Sequence, residues 1–365
     1  MWRFLTERSI AVQSEFVYQH ILGGLANALI GDAMGSATET LTPEEIHQKF
    51  GGKVTRFLEP PEGTFAGGRR AGQVTDDTTQ MLQIIDALVE NDGRVTVDLV
   101  AQQLLRWAEN EELFRRFAGP TTRKAIQLLQ QGKDPHETGI PEKMGMGISN
   151  GAAMKIAPAG WLHPGDLDAA VQDAVTLCVP THNADVAFAG AAAIAAAIAA
   201  CLIPGTCQLS VVDAAIYGAR KGYEIGKERA LVLRSPSMVD RIQLAVEIAI
   251  SQTDFETICE RLAEVIGCGL PIIEAVPFAI GVFVASRGDP NLAVIGAVNM
   301  GGDADTTATI TGAVAGTYAG ISRIDQELYS TIIRVNGLDL ENIAQKLTNI
   351  AMVSPLAPEV EGRLL

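Results

Sequence analysis

The stretch ADVAFAGAAAIAAAIAACLI, residues 184–203, is almost wholly Ala, Ile and Val. Its length matches the roughly 20 residues that a membrane-crossing helix needs. However, Asp185 lies inside it, and alanine is only weakly lipophilic beside Leu or Phe. Alanine is also the strongest helix former, and its small side chain lets a second helix come close. The expectation is a buried core helix, which requires other helices to surround it.

The rest of the chain supplies them. Helical apolar patterns run through Ile21–Met34, Thr79–Glu90, Leu99–Asn110, Thr121–Gln131, Leu167–Leu177, Ser210–Ile225, Ser237–Ser251 and Phe255–Val265. They continue through Ile273–Ser286, Leu292–Val298, Thr306–Tyr318, Gln326–Asn336 and Leu340–Met352. Alternating strand patterns with hairpin turns are nearly absent, and an aromatic content of 5% disfavours a β-sandwich. Pro60–Gly72 and Lys133–Gly151 read as long loops, which in folded domains are often functional. No low-complexity linker or internal repeat divides the chain. The fold expected is all-α, a single compact multi-helix domain over residues 1–365.

Composition narrows the function. A formal charge of −15 argues against nucleic acid or an anionic membrane as partner, since both need a basic face. It leaves room for a phosphate-bearing ligand, because bound metal reverses the local field. The five cysteines, Cys178, Cys201, Cys207, Cys259 and Cys268, show no paired spacing and read as reduced thiols. Met1–His20 has no apolar run of signal-peptide length, so a cytoplasmic location is expected.

Two acidic motifs carry the chemistry: Thr75-Asp76-Asp77-Thr78 and Gly301-Gly302-Asp303-Ala304-Asp305-Thr306-Thr307. Each immediately precedes a predicted helix, where Asp or Thr can cap free N–H groups for ~1 kcal/mol. One cap needs one side chain, and each motif carries two carboxylates, so capping does not exhaust them. Four carboxylates brought together repel unless a cation neutralises them. All-oxygen donors without nearby His or Cys select hard divalent ions such as Mg²⁺ or Mn²⁺. The residues alone therefore point to a buried two-metal site assembled from both ends of the chain.

These motifs resemble the paired metal motifs of the ADP-ribosylglycohydrolase family, which includes the ADP-ribosyl-acceptor hydrolases, the dinitrogenase reductase-activating glycohydrolase and the J1 crystallins. Three further stretches agree in order: Gly31-Asp32-Ala33-Met34-Gly35 with Glu39, Ser149-Asn150-Gly151-Ala152-Ala153-Met154, and Thr181-His182-Asn183. The similarity is strongest over Gly23–Gly320. It implies a compact all-α ADP-ribosylglycohydrolase-like domain. By position, Thr75, Asp76 and Asp77 would bind one metal and Asp303, Asp305 and Thr306 a second, with Asp305 between them. The cofactors implied are two divalent cations, Mg²⁺ ahead of Mn²⁺. Glu39 matches a mobile acidic residue of the family that serves as ligand, base or lid. Glu39 with Asp76 or Asp77 would carry catalysis. Ser149, Asn150 and Gly151 match a loop approaching the diphosphate and distal ribose, and His182 a residue near the adenosine end.

Other residues keep plainer readings. Asp32 is a cap or a supporting partner of the site, and Arg69 and Arg70 are a solvated loop pair. The chain departs from the family pattern at Asn27, Ala304 and Lys155, which stand where Gly, Thr and Arg are common. None is a proposed ligand, so these bear on substrate preference. The activity implied is metal-assisted hydrolysis of the glycosidic bond between ADP-ribose and an acceptor side chain on a modified protein. The alternatives are the same chemistry on a small riboside or ADP-ribosyl conjugate, and a non-catalytic, crystallin-like or binding protein.

Overall fold

The alanine-rich run forms one helix, Asp185–Cys201, and every residue of it is buried. The structure is a computed structural model that describes residues 2–142, 147–251 and 254–353. Among these residues there are eighteen α-helices and, apart from two isolated bridges, no β-structure. Six helices matter for the argument: α1 (Trp2–Gly35), α2 (Pro43–Phe50), α3 (Asp76–Glu90), α4 (Asp185–Cys201), α5 (Gln208–Arg229) and α6 (Ala304–Ala319).

Small residues set how closely these helices approach. A methyl group on Gly218 of α5 would stand 2.2 Å from the Ala192 carbonyl oxygen, and one on Gly222 would stand 2.4 Å from that of Phe188. The α4 run is alanine-rich because a backbone lies against it. Among the described residues, no helix is long and apolar enough to cross a membrane.

The α1–α6 pair is equally tight and positions the acidic motifs. A methyl on Gly35 would meet the Ala304 carbonyl oxygen at 2.4 Å, and one on Gly31 would meet that of Ala308 at 2.3 Å. From the other side, methyls on Gly312 and Gly316 would each stand 2.3 Å from a carbonyl oxygen, of Asn27 and Gly23 respectively. Contacts advance along α6 as they recede along α1, so the helices are antiparallel. The C-terminal end of α1 therefore lies beside the N-terminus of α6. Asn27 fits this seam by donating from Nδ2 to the carbonyls of Pro290 at 3.1 Å and Gly312 at 3.3 Å.

Several expectations need adjustment. The first helix does not start near Ile21 but runs from Trp2, which absorbs most of the segment read only for its lack of a leader. Helices α3 and α6 begin at Asp76 and Ala304, so the acidic motifs form their first turns and do not merely precede them. The segment Lys133–Gly151 is not loop throughout: it contains a short helix at Pro135–Thr138 and ends in a 3-10 turn, Asn150–Ala152. Residues 143–146 of that segment, and 1 and 354–365 at the termini, lie outside the described residues. Arg69 is buried, where a solvated position was expected, while Arg70 is exposed.

Candidate active site

Three chain segments converge at the end of the α1–α6 pair. The first is the end of α1 and the turn after it, carrying Asp32 and Glu39. The second is the first turn of α3, and the third the first turn of α6. Asp32 joins the first two. Its Oδ2 accepts from the backbone N–H groups of Thr75 at 2.9 Å and Thr78 at 3.1 Å, and its Oδ1 accepts from the Thr75 hydroxyl at 2.7 Å. A carboxylate borrowed from α1 thus caps α3, satisfying N–H groups that a helix start leaves open. Asp32 is fully buried, which pushes its carboxyl up, and these hydrogen bonds restrain the rise.

Backbone bonds fasten Glu39 to the α6 motif. Thr40 N–H donates to the Gly302 carbonyl at 2.7 Å, and Gly302 N–H to that of Leu41 at 3.3 Å. This close approach explains Gly301-Gly302. Both sit in the left-handed region, at φ 66° and 65°, and a methyl on Gly301 would be 1.8 Å from the Leu41 oxygen. Carboxylate oxygens of Glu39, Asp303 and Asp305 consequently lie within 4.8 Å of one another.

The cluster has a floor and a rim. Asp32, Asp77 and Asp305 are buried, whereas Glu39, Asp76 and Asp303 keep partial exposure. Burial is the main force on every member, and repulsion between carboxylates adds to it at Glu39, Asp76, Asp77 and Asp305. Glu39 is pushed up to about 8 by burial and by the charges of Asp303, Asp76 and Asp32. Asp76 is pushed up to about 7 by burial and then by Asp32. Asp77 and Asp305 rise well above the usual carboxylate range, Asp77 through burial and Asp76, Asp305 through burial and Glu39. The Thr306 hydroxyl tempers the rise at Asp77. Asp303 is raised by burial but restrained by the Asn150 amide, which donates to its Oδ2 at 2.6 Å.

Whether the residues fit a cation is decided at Asp77. Its Oδ1 is buried without any hydrogen-bond partner. A bare carboxylate oxygen in that position is costly unless a cation or a proton meets it. The donors around it are all oxygens, the set that hard divalent ions prefer.

The predicted loop residues divide into two groups. Asn150 belongs to the acidic cluster through Asp303. Ser149, Gly151 and His182 form a separate group, with Ser149 Oγ 2.8 Å from His182 Nε2 and the Gly151 Cα facing the imidazole ring. His182 Nδ1 lies 2.8 Å from the Thr181 hydroxyl. Burial, with Lys155 nearby, holds the imidazole well below its ordinary value and therefore neutral.

Residue patterns did not reveal two buried cations beside the cluster. Arg69 stacks over the Phe117 ring at 4.8 Å and donates to the Val74 carbonyl, within the field of Asp32 and Asp76. Lys155 is 2% exposed and bonds to Gln80 at 3.0 Å. Burial lowers its ammonium to about 8, and Cys178, Asp76 and Asp77 oppose that fall. The only hint of either was a charged residue beside apolar or glycine-rich sequence. A separate cavity of about 470 Å³, lined in part by Ile46, Phe255, Cys259 and Met300, contains none of the cluster's carboxylates.

Comparison with known proteins identifies the family. An uncharacterized protein of Escherichia coli, YegU, is 33% identical over 332 residues, covering 90% of this chain and 96% of that protein. The ADP-ribosylarginine hydrolase Tri1 of Pseudomonas putida is 26% identical, with 89% and 77% covered. A solved chain from an ADP-ribosylglycohydrolase-related protein complex shares the fold, with a TM-score of 0.67, 22% identity, and 92% and 99% covered. The family model for ADP-ribosylglycohydrolase matches residues 13–355, a span that takes in all three segments of the acidic cluster. The chain is accordingly a hydrolase belonging to the ADP-ribosylglycohydrolase family.

Proposed function

We propose that this chain hydrolyses the glycosidic bond between ADP-ribose and an acceptor side chain of a modified protein, with two divalent cations, Mg²⁺ ahead of Mn²⁺. The observation that carries the reading is the charge of the cluster. Six carboxylates converge, Asp32, Glu39, Asp76, Asp77, Asp303 and Asp305, and Lys155 and Arg69 are the two buried cations in their field. Full ionisation leaves four negative charges, which two divalent ions would match. Thr75, Asp76 and Asp77 would hold one ion, and Asp303, Asp305 and Thr306 the other. The Thr75 hydroxyl donates its proton to Asp32 and accepts from the Asp77 N–H at 3.4 Å, which leaves one lone pair of the oxygen for an ion.

Ions held by these residues would supply Lewis acidity at the ribose end of the substrate. The chain's own groups do the rest. Glu39 stands at the rim within reach of Asp303 and Asp305, where it takes the proton of the water that attacks the anomeric carbon. As the glycosidic bond breaks, that proton passes to the departing acceptor atom, which leaves neutral. Asp76, also at the rim, faces the sugar and stabilises the positive charge that develops as the glycosidic bond breaks. Asp77 is buried beneath and acts on charge balance. Ser149 and Gly151, which keep partial exposure, face the distal, nucleotide end of the substrate; neutral, buried His182 holds the Ser149 hydroxyl from behind, and Asn150 holds Asp303.

The test is hydrolysis of a panel with Mg²⁺, with Mn²⁺ and with EDTA. The panel holds arginine- and serine-ADP-ribosylated peptides, small ADP-ribosyl conjugates and simple ribosides. Release from a modified peptide that EDTA abolishes is the expected result. Turnover of ribosides alone would move the substrate to small molecules, and no release from any member would overturn the reading.

A further inference from the structure

We infer that Gln80 and Lys155 are positioning residues that hold Asp76 for cation binding. The inference rests on the metal reading above. Gln80 lies four residues after Asp76, on the same face of α3, and its Nε2 donates to Asp76 Oδ2 at 3.0 Å. Lys155 Nζ donates to Gln80 Oε1 at 3.0 Å. Both Gln80 and Lys155 are only 2% exposed.

The order of the groups matters. An ammonium offers donors only, so it accepts nothing from the amide and must face its oxygen. That locks the amide with its NH₂ towards Asp76. Without Lys155 the amide could turn, and its oxygen would then repel the carboxylate. One Asp76 oxygen is thus committed to the amide and the other is left for a ligand. A buried lysine is costly, and its hydrogen bond here goes to a side chain whose second contact is a proposed ligand.

The same segment also reaches the second acidic motif. Asn150 donates to Asp303 Oδ2 at 2.6 Å, and Lys155 lies five residues further on, acting on Asp76 through Gln80. Residues 150–155 therefore bear on both motifs, on Asp303 directly and on Asp76 through Gln80. Outer partners of this kind orient metal-ligating groups, and losing one typically costs about 10–100-fold in metal affinity.

The experiment is calorimetric titration of the full chain with MgCl₂ and MnCl₂, comparing wild type with Gln80→Met, Lys155→Met, the double variant and Lys155→Arg. Circular dichroism and melting in EDTA check that each is folded. Each Met variant should bind Mg²⁺ at least about 10-fold more weakly. The double variant should be no weaker than the worse single, because Lys155 orients Asp76 through Gln80. Loss of its charge beside the carboxylates by itself favours a cation. Lys155→Arg, which keeps a donor to Gln80, should bind near the wild-type level. Wild-type affinity in folded Gln80→Met, or additive losses in the double variant, would overturn the inference. If Lys155→Met does not fold, Gln80→Met decides alone. Failure of the wild type to bind either ion would instead bring down the metal reading, and this inference with it.

Discussion

Asp77 and Asp32 are both buried carboxylates of the cluster, yet they do opposite work. Asp77 keeps an oxygen with no partner, whereas Asp32 spends its oxygens on the backbone N–H groups of Thr75 and Thr78 and on the Thr75 hydroxyl. Two predictions separate them. Asp77→Asn should leave the EDTA-treated protein folded but weaken Mg²⁺ binding by more than about 100-fold, beyond the usual cost of an outer partner; titration calorimetry reads this. Asp32→Ala strips the α3 cap and leaves buried donors unmet, at about 1–3 kcal/mol each. Urea unfolding in EDTA should show that loss before any metal is added. Equal metal-free stability of Asp32→Ala and wild type would refute the capping role.

Two glycine seams have comparable geometry at the level of elements and different consequences. Gly312 faces the Asn27 carbonyl in the α1–α6 seam, and Gly218 faces that of Ala192 in the α4–α5 seam. Placing alanine at either should cost about 1–3 kcal/mol through overpacking, measured by chemical denaturation. Only Gly312→Ala disturbs the pair whose ends carry Asp32, Glu39 and the α6 motif. Its Mg²⁺ affinity should fall several-fold while that of Gly218→Ala stays at the wild-type value. Identical affinities for both would mean that the cluster's spacing does not depend on the α1–α6 seam.

Across the whole molecule, the cluster ties stability to pH. The carboxyls of Glu39 and Asp76 titrate at about 8 and about 7 in the fold, raised from ordinary values of 4.5 and 3.8. The native protein thus keeps protons that the unfolded chain has already released, and stability falls as pH rises. That contribution is full below about pH 4 and is lost progressively up to about pH 8. The melting temperature in EDTA should therefore drop between pH 5 and pH 8. Mg²⁺ favours the ionised carboxylates, so the increment it adds should grow over the same range. Glu39→Gln should flatten the decline, which distinguishes the cluster from general repulsion in a chain of charge −15.

Much of this protein was legible in its residues. Residues 184–203 spelled a buried helix through alanine content and Asp185, and helical periodicity without strand patterns implied an all-α fold. Both acidic motifs stood out because doubled carboxylates exceed what capping needs, whereas Glu39 was marked only by the family resemblance. Helix starts were harder to place, because polar first turns at Asp76 and Ala304 carry no apolar period. Partner choice was beyond reach. Asp32 caps a helix that starts 44 residues later, Lys155 grips Gln80 across 75 positions, and Arg69 is buried within a glycine-rich segment. Composition and spacing are local properties, so they determined the helices, the oxygen-only donor set and the family resemblance. Which donors meet, which carboxylate stays bare and which cations are buried beside it were decided only when antiparallel packing of α1 on α6 brought distant residues together.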